Sequence, residues 1–185
     1  MDSAGPFPDD ADGNRYLLVA VDVFTRWVEV RAVPRLRSWR VADFLHQEIV
    51  ARWGKPLAVR TDNGSEYRGS FERLCKASGV VHRRITSGNS KANGMAERTI
   101  RSLKETLRRG LTAQAASFWS SHLPAALTAL RHTPARAHGL APFAMVTGRA
   151  ARLPSLVPPP GWELPDDPSE QQRLQYYDSL QGWVR

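Results

Sequence analysis

The chain lacks the marks of several protein classes. Cys75 is the only cysteine among 185 residues, so no intrachain disulfide can form and a reducing, intracellular compartment is expected. The five histidines have no paired cysteines, which argues against a structural zinc site. No apolar run approaches membrane-spanning length, and four aspartates lie among the first twelve residues. Neither a membrane segment nor a targeting peptide is therefore expected.

Positive charge is present in excess but is unevenly distributed. The chain has 26 basic and 18 acidic residues, a net charge of +8. From Leu153 onward there are five acids and two bases, a net of −3, so residues 1–152 carry +11. A body with this excess is suited to contact the phosphates of a nucleic acid. On charge alone, a basic surface with no such partner remains an equal alternative.

Hydrophobic periodicity predicts strands and helices in a mixed order. Residues 16–23 form a nearly continuous apolar run, typical of a strand buried on both faces. Ser38 is a candidate cap for the first helix, and the polar, glycine-bearing residues 86–94 indicate a loop. The further strands are predicted at 27–33 and 57–61 and from residue 80, and the helices at 39–52, 69–78, 94–109, 117–131 and 142–146. This order predicts an α/β domain with helices packed on a mixed sheet.

The C-terminal region has a different composition. Residues 154–168 contain six prolines, which indicate an extended linker or a strap on the surface, and a short helix is possible at 169–182. The chain is therefore divided into a domain at 1–152 and an acidic, proline-rich tail at 153–185.

Three carboxylates stand in three different local settings. Asp2 opens the chain, Asp62 follows an apolar run, and Glu97 lies at the start of a basic helix. Carboxylates gathered from separate elements can hold a pair of hard divalent cations, and paired cations catalyse the breaking and joining of phosphodiesters.

The predicted helix at 94–109 has two distinct stripes. An apolar stripe belongs to the core and carries no functional prediction: Ala96, Ile100, Leu103, Leu107 and Leu111. A second stripe places one carboxylate on a face with three cations: Glu97, Arg101, Lys104 and Arg108. One interpretation is a solvated face with supporting pairs from Glu97 to Arg101 and from Glu105 to Arg109. The other is a metal ligand followed by cations that track a phosphate backbone.

Several blocks together resemble the catalytic core of retroviral and retrotransposon integrases, especially those of gypsy-type long-terminal-repeat elements. These blocks occur in the family's order: Asp2 with Gly5-Pro6, the run from Tyr16 to Glu29, Thr61-Asp62-Asn63-Gly64-Ser65, Asn93-Gly94-Met95-Ala96-Glu97-Arg98, and His132-Thr133-Pro134 through Ala141-Pro142-Phe143 to Leu153-Pro154. The second and third acid-bearing blocks are specific in combination, whereas either alone would be weak.

The resemblance implies a ribonuclease-H-like fold, with a mixed five-stranded sheet flanked by helices. This sequence departs from the family in its first strand, which is expected to be shortened. It implies a D,D,E triad of Asp2, Asp62 and Glu97 that holds two Mg²⁺ or Mn²⁺ ions for DNA end processing and strand transfer. The residues expected to bind DNA are Lys91, Asn93, Arg98, Arg101, Lys104 and Arg108. The expected partners are DNA and further copies of the chain in a homo-oligomer, with a nuclear location if the host is eukaryotic.

Alternatives remain at the levels of residue and function. Asp22, at a strand end, is the rival for the first carboxylate, and the resemblance favours Asp2. Because the first strand is short, Asp2 is expected to be held less firmly, which keeps open a catalytically inactive or domesticated nucleic-acid-binding fragment. A ribonuclease-H-like nuclease acting on free ends is a third possibility. Glu66 and Asp43 are interpreted as surface or turn acids.

Overall fold

The computed structural model describes residues 1–85, 90–110 and 113–149, with side chains described except at 90–93, 110 and 113–116. The predicted tail at 153–185 and residues 86–89 of the predicted loop lie outside this description, whereas 90–94 of that loop are helical. Five strands are described: β1 (Asp2–Ala4), β2 (Tyr16–Val21), β3 (Val28–Val33), β4 (Ala58–Thr61) and β5 (Val81–Arg84). The α-helices described are α1 (Ser38–Phe44), α2 (Ala51–Trp53), α3 (Ser70–Ala77), α4 (Ser90–Gly110), α5 (Leu123–His132) and α6 (Pro142–Thr147).

The five strands form an antiparallel and a parallel group. β1, β2 and β3 pair antiparallel in that order, with Asp2 opposite Val19. β4 and β5 pair in parallel, with Thr61 opposite Arg84. The Met1 ammonium donates to the Arg60 carbonyl over 2.6 Å, which joins the start of β1 to β4. The expected α/β architecture is present, but its five strands are hydrogen-bonded as a set of three and a set of two and not as the single five-stranded sheet that was predicted.

Strand β2 is buried on both faces, as its apolar run predicted. Leu18 and Ala20 pack in a core with α1 and α3. Leu17 and Val19 pack in a second core with α4 and α5. Burying a Leu or Val side chain contributes about 1.5–3 kcal/mol, so this strand is a principal anchor of the sheet between its two helical layers.

The helices differ from the sequence prediction mainly at their ends. The first predicted helix is present as α1, a π-helical stretch at Leu45–Val50, and α2. Helix α4 begins at Ser90, four residues before the predicted start. The predicted helix at 117–131 is present as part of a 3-10 segment at Ala113–His122, inside which Phe118 has non-helical torsion angles, followed by α5. Pro124 lies in the first turn of α5, where its missing N–H has no cost.

The prediction that Ser38 caps its own helix is wrong. Ser38 is the first residue of α1, and Arg37 occupies the cap position without a side-chain hydrogen bond. The Ser38 hydroxyl instead accepts the Phe71 N–H over 3.0 Å and contacts the Arg68 carbonyl. Ser38 thus satisfies an N–H in the first turn of α3, a partner that lies 33 residues away and has no local sequence signal.

Candidate active site

The three predicted catalytic acids are carried by three separate elements. Asp2 is the first residue of β1, Asp62 directly follows β4, and Glu97 lies in the second turn of α4. Asp2 is largely buried, whereas Asp62 and Glu97 are exposed. The pKa of the Asp2 carboxyl is raised, chiefly by burial and further by the negative charges of Asp62 and Glu97. Each of the other two acids is thus close enough to influence Asp2, and Asp62 has the larger effect.

Two neighbouring groups partly offset the cost of ionising the buried Asp2 carboxyl. The Ser3 N–H donates to Asp2 Oδ1 over 2.8 Å and, with the Met1 ammonium, favours the ionised carboxyl. Burial lowers the pKa of the Met1 ammonium to about 6, while the charges of Asp2 and Asp62 act in the opposite direction. The start of β1 therefore concentrates charged groups of both signs beside Asp62.

A turn after β4 sets the position of Asp62. Asp62 Oδ1 accepts the Gly64 N–H over 3.0 Å, and a single 3-10 turn follows at Ser65–Tyr67. The Thr61 hydroxyl donates to the Asp62 carbonyl over 2.8 Å. The chain bends at Asn63, directly after Asp62 leaves β4.

The donor chemistry of these acids suits a hard divalent cation, because all three supply carboxylate oxygens. The raised pKa of Asp2 supports the same conclusion, since a cation would relieve the cost of ionising a buried carboxyl beside two others. Within the described residues, no cluster of three or more His, Cys, Asp or Glu side chains is already arranged to hold a metal ion.

The rival acid, Asp22, has a structural role. It is exposed in the turn between β2 and β3, where its Oδ2 accepts the N–H and the hydroxyl of Thr25, both over 2.7 Å. Arg26 follows with a positive φ of 66°, which closes the turn. The Asp22 side chain thus stabilises the hairpin, and the geometry favours Asp2 as the first acid of the site.

The predicted DNA-binding residues are only partly available on one surface. Arg101 and Arg108 are exposed on α4, and the Arg98 Nε donates to the Gly94 carbonyl over 2.8 Å. Lys104 is half-buried, with its Nζ 5.4 Å from the centre of the Phe7 ring. The side chains of Lys91 and Asn93 lie outside the described residues.

The alternative of a purely solvated face on α4 is half supported. Glu105 and Arg109 form the predicted ion pair at 2.6 Å. No ion pair links Glu97 to Arg101 in the part of the chain that the structure describes. Glu97 therefore remains exposed at the end of the helix that faces the other acids.

Sequence reasoning missed two side chains near Asp62. Glu66 was predicted to be a surface or turn acid, yet its Oε1 accepts the Ser3 hydroxyl over 2.9 Å and so links the turn after β4 to β1. His82 on β5 lies with its Nε2 2.8 Å from the Thr61 hydroxyl. The spacing of four residues from Asp62 to Glu66 was a weak signal for the first, whereas nothing local pointed to the second.

Tyr67 adds a buried hydroxyl beside the acids. Its side chain is 1% exposed, and its pKa is raised by burial and then by the charges of Asp2, Glu66 and Asp62. The phenol therefore stays protonated next to the carboxylates.

A large cleft lies beside this site. Its volume is about 680 Å³, and it is bounded by the end of β2, by α2 and by β4. Met1 lines the cleft, but none of the three predicted catalytic acids does. Asp62 and Glu97 are exposed outside this cleft, which suits a large substrate better than an enclosed small molecule.

Among the described residues, no helix is both long and apolar enough to span a bilayer.

Comparison with known proteins identifies the relatives of this chain. Residues 1–90 match the family described as integrase core domain. The chain is 34% identical over 171 residues to the Gag-Pol polyprotein of avian reticuloendotheliosis virus, covering 92% of this chain and 14% of that polyprotein. It is 32% identical over 173 residues to the Pol polyprotein of radiation murine leukemia virus (strain Kaplan), covering 93% of this chain and 30% of that one. The chain thus spans less than a third of either polyprotein.

Solved structures share the fold. A chain of the simian T-cell lymphotropic virus intasome, in complex with a PP2A regulatory subunit, has a TM-score of 0.63 at 21% identity, covering 89% of this chain and 59% of that one. The catalytic core domain of BIV integrase has a TM-score of 0.61 at 23% identity, covering 78% and 90%. The HTLV-2 integrase catalytic core, in a trimeric form with magnesium, has a TM-score of 0.58 at 21% identity, covering 77% and 91%. The prediction of a ribonuclease-H-like α/β fold is confirmed.

Proposed function

We propose that this chain, whose residues 1–90 match the integrase core domain, is a metal-dependent polynucleotidyl transferase core that processes DNA ends and joins them to a target DNA. The proposal assigns Asp2, Asp62 and Glu97 as its catalytic acids. The observation that carries it is that the negative charges of Asp62, at the end of β4, and Glu97, on α4, both raise the pKa of Asp2 on β1, in addition to the larger effect of burial. The motif blocks favour a gypsy-type element as the source, while the relatives reported above are retroviral.

A divalent cation, Mg²⁺ or Mn²⁺, would be held by the carboxylates of Asp2 and Asp62 with Glu97, and two such ions are proposed. When bound, the ions would activate an attacking oxygen and stabilise the leaving oxygen of a phosphodiester. The chain's part is to hold the ligands: Ser3 through its N–H on Asp2 and Gly64 through its N–H on Asp62. The HTLV-2 core with magnesium supports this assignment by shared fold.

DNA is the proposed substrate because the same helix that carries Glu97 continues as a basic surface. Arg101 lies one turn beyond Glu97 and Arg108 about two turns further, and both are exposed. Such cations fix the register of a phosphate backbone without reading its sequence. We place the reacting phosphate at Glu97 and the DNA strand along α4 toward Arg108.

A homo-oligomer is proposed as the working form. The intasome and the trimeric HTLV-2 core are assemblies of proteins with this fold, which supports the proposal without defining an interface. Sedimentation of the chain with and without a DNA end would measure its own assembly state.

The direct test is nicking and strand transfer of a labelled DNA duplex in Mn²⁺. Glu97→Gln and Asp62→Asn are expected to lower the rate by at least about 100-fold, since each removes a carboxylate that would hold the cations stabilising the charge of the transition state. Glu105→Gln, an exposed acid on the same helix, is the matched control and should keep the wild-type rate. Equal rates for Glu97→Gln and wild type would remove Glu97 from the mechanism.

The alternative of a non-catalytic DNA-binding module has a different signature. It predicts that the wild type binds DNA in a salt-dependent way and shows no Mn²⁺-dependent nicking. It also predicts that Asp62→Asn binds DNA as wild type does. That pattern would replace the proposed function by the alternative.

A further inference from the structure

A short hydrogen-bond chain runs from β5 to the backbone of Asp62. The Thr61 hydroxyl donates to the Asp62 carbonyl over 2.8 Å, and His82 Nε2 lies 2.8 Å from the same hydroxyl. A threonine hydroxyl has one hydrogen, and here the Asp62 carbonyl takes it. With the Thr61 hydrogen on the Asp62 carbonyl, the His82 tautomer that completes the chain carries its proton on Nε2 and donates it to the Thr61 oxygen.

His82 is fixed in this orientation by its neighbours. It lies opposite Val59 in the parallel ladder of β4 and β5. The edge of its ring packs against Phe71, with ring centres 5.0 Å apart and an angle of 82° between the planes. Thr61 is fully buried, so water does not compete for its hydroxyl. The chain of donors is thus enclosed at its centre.

The Asp62 carboxylate is restrained from the other side as well. Its Oδ1 accepts the Gly64 N–H, while its Oδ2 accepts no hydrogen bond from the described residues. Asp62 itself is exposed and is followed by Asn63-Gly64, a sequence that permits several turn geometries. The bond to the Asp62 carbonyl restrains the backbone from which the carboxylate projects, and the Gly64 N–H restrains the carboxylate itself.

We propose that His82 and Thr61 are positioning residues that hold Asp62 in the orientation needed to bind a divalent cation. Neither residue touches the cation or the DNA; both act through the Asp62 backbone. This inference rests on the proposed function, since it gives Asp62 the role of a metal ligand. Residues that orient a ligand in this way commonly change metal affinity 10- to 100-fold when they are removed.

A purely structural role for Thr61 and His82 predicts something different. Loss of one buried hydrogen bond would lower stability by about 1 kcal/mol and would leave the metal affinity of the folded protein unchanged. The test must therefore measure metal binding in samples that are shown to be folded.

The experiment measures Mn²⁺ binding to the full chain without DNA, by electron paramagnetic resonance of the free ion, at a temperature well below each variant's Tm. Thr61→Val keeps the shape of the side chain and removes the hydroxyl, and Thr61→Ser restores the hydroxyl. His82→Leu removes the donor, and His82→Gln restores an N–H near the position of Nε2. Thr106→Val is the matched control, because it removes a hydroxyl that donates to the Ser102 carbonyl on the surface of α4.

The expected result is a loss of Mn²⁺ affinity of about 10-fold or more in Thr61→Val and His82→Leu. Thr61→Ser, His82→Gln and Thr106→Val should stay within about 3-fold of wild type, a spread under 1 kcal/mol. The Mn²⁺ concentration for half-maximal nicking should shift in parallel, with KM for DNA unchanged. Wild-type affinity in folded Thr61→Val and His82→Leu would overturn the inference. If Thr61→Val does not fold, the comparison of His82→Leu with His82→Gln decides the question.

Asp62→Asn separates this inference from the function on which it rests. If Asp62→Asn binds Mn²⁺ as tightly as wild type, the proposed metal site itself fails. If Asp62→Asn loses affinity while His82→Leu and Thr61→Val do not, only the positioning role fails.

Discussion

At the scale of single residues, a buried carboxylate on β3 accepts hydrogen bonds from side chains of several elements. Glu29 on β3 is 4% exposed and accepts the indole N–H groups of Trp27 and Trp53 over 2.9 and 3.1 Å. Its other oxygen pairs with Arg131 at 2.6 Å, and Arg131 also donates to the Val28 carbonyl. A buried carboxylate with this many donors ties β3 to α5 and to α2.

Removing the partner of Glu29 should be costly. We expect Arg131→Met to lower the free energy of unfolding by about 3–5 kcal/mol, because it removes the closer of the two cations that pair with this buried carboxylate and leaves only the more exposed Arg52, 3.8 Å away. Arg109→Met is the matched control: its pair with Glu105 is exposed on both sides, and its removal should change stability by less than about 1 kcal/mol. Urea unfolding measures both variants. Similar losses for the two would show that the Glu29 pair is no stronger than a surface pair.

His82 gives the stability of the fold a pH dependence. Burial lowers its pKa from 6.5, helped by the charge of the Met1 ammonium. The folded state therefore takes up the proton less readily than the unfolded state. The contribution of His82 to the free energy of unfolding does not change with pH above 6.5. Stability is lost as the pH falls from 6.5 through the lower pKa of His82 in the folded state.

The measurement is the free energy of unfolding of wild type and His82→Gln between pH 8 and pH 5. Wild type should lose more stability than His82→Gln over the acidic half of this range, since glutamine does not titrate. The other charged groups near His82, namely Glu72, Lys76, Arg84 and the Met1 ammonium, are common to both proteins and enter the difference only through their interaction with His82. Parallel curves for the two proteins would contradict the assignment to His82.

At the scale of elements, patterns that repeat along the chain were predictable and contacts between distant elements were not. The apolar stripe of α4 could be predicted because helical geometry alone decides it, and Leu103 is fully buried as expected. The position of Lys104 against Phe7 could not, because the two residues are 97 positions apart and meet only when β1 is placed on α4. The same reason explains why Ser38 caps α3 instead of α1.

The exposed face of α4 leads to a prediction about DNA affinity. Arg101→Ala combined with Arg108→Ala should weaken binding to DNA of any sequence, and the slope of log K against log salt should fall by about two. Lys104 should contribute less, because it is partly engaged with Phe7. Fluorescence anisotropy of a labelled duplex over a series of salt concentrations measures both quantities.

Arg109→Ala is the control for that experiment. Arg109 lies on the same helix but pairs with Glu105, so its loss should leave the salt slope nearly unchanged. If the double variant keeps the wild-type slope, DNA does not follow this face of α4.

At the scale of the whole molecule, sequence motifs named the candidate acids, but only the fold relates them in space. The order of strands and helices was sufficient to predict the α/β class. It was not sufficient to predict that β1 meets β4 through Met1 and Arg60, or that Ser3 reaches Glu66, because those contacts join segments about 60 residues apart. The distances within the site depend on this junction between the two groups of strands.

The junction makes the stability of the whole domain sensitive to divalent cations. The raised pKa of Asp2 means that ionising it costs more in the folded than in the unfolded state, so above pH 3.8 the charge of Asp2 opposes folding. Without metal at pH 7, Asp2→Asn should therefore unfold at a higher temperature than wild type. With Mg²⁺ the difference in unfolding temperature between Asp2→Asn and wild type should become smaller or change sign. Mg²⁺ at ten times its Kd stabilises only the protein that binds it, by about 1.4 kcal/mol.

Thermal unfolding with EDTA and then with increasing Mg²⁺ tests this prediction, with Glu105→Gln as an acid-to-amide control on an exposed position. The control should show the same Mg²⁺ gain as wild type, while Asp2→Asn and Asp62→Asn should show little or none. Asp2→Asn should thus have a higher unfolding temperature than wild type without metal and should lack the increase that Mg²⁺ gives wild type. Both effects have one cause, since folding brings carboxylates from separate elements together. If Asp2→Asn is less stable than wild type in EDTA and responds to Mg²⁺ as wild type does, the ionised Asp2 carboxylate does not destabilise the metal-free fold and does not bind Mg²⁺.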